Sequence, residues 1–132
     1  MNKINTFLAN GEQLLRNGDF ARAYVDYHAI MDISFNGKSP IKAINSLLNL
    51  ANIARSTGQQ ERSIEYFKKA LFVAKESASA TLAVKPLLGL AQAVLEAGRD
   101  GDARGYYRKA LLIAQKSGDP QLLTDVEVFE LY

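Results

Sequence analysis

Residues 63–71, Ser-Ile-Glu-Tyr-Phe-Lys-Lys-Ala-Leu, return at residues 103–111 as Ala-Arg-Gly-Tyr-Tyr-Arg-Lys-Ala-Leu, an offset of forty residues. A fainter copy lies forty residues earlier, where Ala23, Tyr27, Ile30 and Met31 take the places of Ser63, Phe67, Ala70 and Leu71. Gly18, Gly58 and Gly98 keep the same period. A fixed period of this length marks a repeat protein, in which each unit buries its apolar face only against its neighbours.

Outward from that stretch, apolar residues recur at helical spacings with stop signals between them. Residues 4–15 carry Ile4, Phe7, Leu8, Leu14 and Leu15, and Gly18 ends the segment. Asp19 is a good N-cap for a second helix with Phe20, Ala23, Tyr24, Tyr27, Ile30 and Met31 on its stripe, reaching about Phe35. Asn36-Gly37-Lys38 is a turn, Ser39 caps, and Pro40 takes the first helical position, where its missing N–H costs nothing. A third helix then carries Ile41, Ile44, Leu47, Leu48, Leu50, Ala51 and Ala54 as far as Thr57, and Gly58 ends it. The fourth runs from about Gln60 to Glu76 with Ile64, Phe67, Leu71 and either Val73 or Ala74 inward.

The fifth helix meets a conflict. Register starts it near Ala80, opposite Pro40, and Pro86 then falls inside it, so it either kinks there or starts at about Lys85; the register favours the kink. It ends at Gly98, and a sixth helix spans about 102–116. Pro120 stands two periods after Pro40, and Leu122, Val126 and Phe129 share one face of a last helix over 121–132. Seven helices in a single domain result, with repeats at about 3–36, 39–77 and 79–117 and a capping helix at 120–132.

The bulk numbers agree with one folded domain. The chain has 132 residues, 48% hydrophobic and 23% charged, without the compositional bias of a disordered segment or a coiled-coil rod. With no cysteine, disulfides, thiolate metal sites and thiol nucleophiles are excluded. No apolar run approaches the ~18 residues of a membrane span, and residues 1–12 lack a signal-peptide core, so a cytoplasmic location with no membrane contact is expected. The net charge of +2 is too small to call for nucleic acid. Its distribution is uneven: residues 119–132 hold four of the fourteen acidic residues and none of the sixteen basic ones, leaving residues 1–118 at +6.

These residues resemble the tetratricopeptide repeat, in its forty-residue-period subtype. The family pattern is a large residue, Leu-Gly, then Tyr in the first helix, and Ala, an aromatic and Ala in the second. Here the places read Phe7, Asn10-Gly11, Leu14, Ala23, Tyr27 and Ile30, then Leu47, Leu50-Ala51, Ala54, Ser63, Phe67 and Ala70, then Leu87, Leu90-Ala91, Val94, Ala103, Tyr107 and Ala110. The resemblance implies an all-α fold, a right-handed superhelix of three helix-turn-helix repeats plus the C-terminal capping helix. It also implies a non-enzymatic interaction module or adaptor that holds a peptide of another protein in a concave groove.

In that family the first helix of each unit lines the groove. The implied peptide-binding residues are Leu8, Glu12 and Arg16, with Asn5 and Leu15 beside them; Asn45, Leu48, Asn49, Asn52 and Arg55; and Lys85, Leu88, Gln92 and Glu96, with Leu95. Asn45, Asn49 and Asn52 share one helix face, and Asn is a poor helix former whose amide both donates to and accepts from an extended backbone. The clamp by which chaperone-binding members hold a carboxylate is matched at only two of five places, here Leu8, Glu12, Asn49, Lys85 and Gly89, and Glu12 repels a carboxylate.

Catalysis lacks its ingredients, since the single histidine, His28, aligns with Lys68 and Arg108 on an outer, solvated face. No catalytic residue, cofactor or metal is therefore expected. The pairs Lys68-Lys69 and Arg108-Lys109, beside Tyr66 and Tyr106, mimic a nucleic-acid stripe, but Glu65, Asp100 and Asp102 interrupt it. Nucleic acid is thus a less favoured partner than protein. The alternative from another class is self-assembly through the terminal helices, with a homodimer formed by the C-terminal one.

Overall fold

The forty-residue period of the sequence is a period of burial in space. The computed structural model describes residues 39–129 together with His28. Among these residues, α1 (Pro40–Ser56), α2 (Gln60–Glu76), α3 (Val84–Glu96), α4 (Asp100–Ser117) and α5 (Pro120–Glu127) follow one another. A four-residue 3-10 turn, Ala80–Ala83, precedes α3, and no described residue is in a strand. The first repeat and its helices lie outside the described residues.

α1 packs on α2 and α3 on α4, the two hairpins meet where α2 lies on α3, and α5 rests on α4. Residue by residue, the sequence of buried, half-buried and exposed positions over 41–51 is identical to that over 81–91. The family-pattern positions Leu47, Leu50, Ala51, Ala54, Ser63, Phe67 and Ala70 are all buried. So are Leu87, Leu90, Ala91, Val94, Ala103 and Ala110, whereas Tyr107 is half-buried. Small residues let the backbones approach; at Ser63 the hydroxyl donates to the Ala51 carbonyl at 2.9 Å, so a polar atom in the core is satisfied.

Glycine closes both hairpins. Gly58 (φ 77°) and Gly98 (φ 82°) occupy the left-handed region. After α1 the Gln59 N–H donates to the Ala54 carbonyl and the Gly58 N–H to Arg55; after α3 the Arg99 N–H donates to Val94 and the Gly98 N–H to Leu95. Each helix therefore ends in the same two-bond Schellman closure. Asp119 caps α5 by accepting from the Gln121 N–H at 3.0 Å. Ser39, at the equivalent place before α1, makes no side-chain capping bond.

Of the two expectations for Pro86, the one that holds is a helix starting at about Lys85, not the kink that the register favours. The 3-10 turn occupies Ala80–Ala83 and α3 begins at Val84. Pro86 is then the third residue of the α-helix, where the backbone N–H has no intrahelical acceptor, so no kink is needed. Of the pair Val73 and Ala74, left open by the stripe, Ala74 is the buried one; Ile41, an apolar member of its helix, is 56% exposed; and α4 starts at Asp100 rather than about 102, placing Asp100 and Asp102 in a first turn where the helix dipole favours acids. The last helix is also shorter than expected, ending at Glu127.

Candidate functional site

The candidate site is the partly exposed face of each first helix, whose leucines rest on the core while its polar residues reach outward. On α1 this stripe comprises Ile41, Asn45, Leu48, Asn49, Asn52 and Arg55 at helical spacing, and on α3 Lys85, Leu88, Gln92, Leu95 and Glu96. Asn45, Asn52, Arg55, Lys85 and Glu96 are exposed, whereas Leu48, Asn49, Leu88, Gln92 and Leu95 are half-buried. Polar ends therefore stand over an apolar floor. α1 and α3 also touch directly, so the two stripes are neighbours. Leu8, Glu12 and Arg16, with Asn5 and Leu15, lie outside the described residues.

The side-chain amides of Asn45, Asn49, Asn52 and Gln92 make no hydrogen bond to any described residue. Arg55 and Glu96 behave differently. Their side chains pair across the gap between α1 and α3, with Nε 2.7 Å from Oε1 and Nη2 3.2 Å from Oε2, a two-pronged contact. These two members of the stripe are committed to each other. The Gln60 amide adds a 3.4 Å bond to the Glu96 carbonyl, tying the start of α2 to the end of α3. Ile41, one turn before Asn45, is exposed on the same stripe, and its four-residue spacing from Asn45 is the sequence signal for that.

Gly89, one of the clamp positions, does other work. Its α-carbon carries the ring of Phe67, and a Cβ there would lie 2.6 Å from Cδ1 and 2.8 Å from Cζ. The aromatic wedge between repeats needs a bare backbone at that point.

His28 is half-buried, not solvated. Its Nε2 lies 2.8 Å from the Tyr66 hydroxyl, and the two rings meet edge to face with centroids 5.7 Å apart. The tyrosines of the basic stripe are likewise occupied. The Lys69 ammonium sits over the Tyr66 ring at 5.6 Å and the Lys109 ammonium over Tyr106 at 5.8 Å. Those ring faces are covered by their own helices. Among the described residues no three His, Asp or Glu side chains gather as a metal site, and no helix is long and apolar enough to cross a membrane.

Residues 44–75, the greater part of the α1–α2 hairpin, match the family model of the tetratricopeptide repeat. No curated protein matches the sequence. Among solved structures the chain is similar to the tetratricopeptide-repeat domain of Arabidopsis FLU, with 20% identity and a TM-score of 0.73 over 89% of this chain and 97% of that one. It is similar to the apo form of RapI, with 18% identity and a TM-score of 0.74 over 94% of this chain and 45% of that one. It is also similar to the N-terminal domain of stress-induced protein-1 from C. elegans, with 19% identity and a TM-score of 0.69 over 96% of each chain. Residues 44–75 are thus a tetratricopeptide repeat, set in a chain with the tetratricopeptide-repeat fold.

Proposed function

We propose that the chain is a non-enzymatic adaptor of the cytoplasm that holds an extended peptide segment of a partner protein in the groove lined by the first helices of its repeats. The fold supports a protein–protein interaction module in general. One observation carries the finer reading: four carboxamides, at Asn45, Asn49, Asn52 and Gln92, line the stripe with no protein partner of their own among the described residues. Asn costs a helix stability relative to Ala, so three of them on one face need a reason beyond the fold. An extended peptide presents alternating N–H and C=O groups, and a carboxamide satisfies both. Leu48, Leu88 and Leu95 supply an apolar floor, and Leu8, Glu12 and Arg16 extend the same stripe into the first repeat by register.

The variant Asn49→Ala/Asn52→Ala tests this. Both substitutions improve helix propensity, so stability should rise by about 0.5 kcal/mol each while affinity for uncharged peptides selected from a displayed random library falls. Unchanged affinity, with the fold intact, sinks the site. Self-assembly is the competing use, favoured by the 70% exposure of Val128 just beyond α5; a monomer by light scattering at high concentration removes it.

A further inference from the structure

Away from the groove, two clefts open on the edge where second helices end and first helices begin. One, of about 410 Å³, is walled by Pro40, Ala43, Phe72 and Val73. The other, of about 390 Å³, is walled by Ala80, Ala83, Leu112 and Ile113, the residues forty positions on. They are one feature made twice, and Ser77 lines both. No residue of the groove stripe lines the second cleft.

Their chemistry differs at the rim. Among the described residues that line the first, a single one is charged, Glu76. The second has two, Lys75 and Lys109, and neither lies in an ion pair with a described residue. α4 reinforces the sign: Arg104, Arg108, Lys109 and Lys116 are exposed, and residues 103–117 contain no acid. Inside, Leu71 and Leu87 form an aliphatic floor, and Leu112 at the lip is 49% exposed.

We propose that this second cleft docks an acidic peptide segment of a partner, which inserts one apolar side chain over Leu71 and Leu87 beside Leu112 and sets flanking carboxylates against Lys75 and Lys109. Charge complementarity selects the occupant. A nucleic acid satisfies the lysines and leaves the aliphatic pit unfilled, since the Tyr106 ring that could stack a base lies under Lys109. A membrane surface calls for apolar side chains that project, whereas here the apolar surface recedes between helices. Glu76 repels the same segment from the first cleft, so the two otherwise similar clefts discriminate.

The test selects peptides from a displayed random library on the full chain and measures each by fluorescence polarisation. Expected are sequences with Leu or Phe flanked by Asp or Glu, whose affinity falls with added salt and about tenfold in Lys75→Glu/Lys109→Glu. Both lysines are exposed, so that variant should fold. The same peptides should bind Lys75→Arg/Lys109→Arg and Asn49→Ala/Asn52→Ala as they bind the natural chain. The proposal falls if no acidic–apolar sequence is enriched or if the charge-reversed variant binds equally well. It also falls if loss occurs with the asparagine variant instead, or if single-stranded RNA or anionic vesicles bind through these lysines more tightly than any selected peptide.

Discussion

Gly89 and Gly98 are glycines for opposite reasons, and a methyl group separates them. At Gly89 the obstacle is space, because the Phe67 ring already occupies the place of a Cβ. At Gly98 a Cβ meets nothing, and the obstacle is φ at 82°. Gly89→Ala should therefore cost about 1–3 kcal/mol through overpacking, and Phe67→Leu in the same chain should return part of it. Gly98→Ala should cost about 1 kcal/mol, with no such rescue. Urea denaturation of the two single variants and of the double variant checks both. Period alone marked Gly98 as a helix stop. The role of Gly89 was not legible, because it depends on which ring of the preceding hairpin arrives there. Asn45, Asn49 and Asn52 were legible as a face, since helical spacing is local. The pairing of Arg55 with Glu96 was not: they stand forty-one residues apart, and only the angle between successive hairpins decides that they meet.

Among the elements, the hairpins were the more legible and the ends the less. α2 has the bounds expected from its stripe, and both hairpin turns sit at the glycines. α5 is shorter than its apolar pattern suggested, because Phe129 leaves the helix to stack on Tyr107, centroids 6.4 Å apart, while the Tyr107 hydroxyl donates to the Val126 carbonyl at 3.2 Å. Helical periodicity cannot distinguish a side chain that packs from within a helix from one that packs just beyond it. Val126 is fully buried and Leu122 and Leu123 are half-buried, so α5 covers an edge of α4. Ending the chain after Gly118 should remove at least about 1.5–3 kcal/mol and lower Tm by more than about 5 °C by circular dichroism. An unshifted melt means that α5 is no cap.

At the scale of the whole molecule, stability is shared between neighbours and is not uniform. Among the described elements, hydrogen exchange should be slowest where α2 and α3 are covered on both sides and fastest in α5, which rests chiefly on α4. The ion pair between Arg55 and Glu96 spans successive repeats with side chains 41% and 37% exposed. A double-mutant cycle should give it only about 0.2–1 kcal/mol, less at high salt, so its removal should change the groove more than the melt.

The identical burial order of residues 41–51 and 81–91 makes the chain commensurate with itself. A tile that matches its own copy can be laid again. A second copy of residues 60–99, spliced in after Arg99, joins a hairpin turn to the start of a second helix as Gln59 already joins Gln60. One hairpin in the lengthened chain is new, that of α3 with the copied α2, and the shared burial order of α1 and α3 is what fits it. The product should fold as a longer stack with a higher Tm and a groove extended by one stripe, whereas a tile cut to the family's usual ~34 residues should break the match and melt earlier.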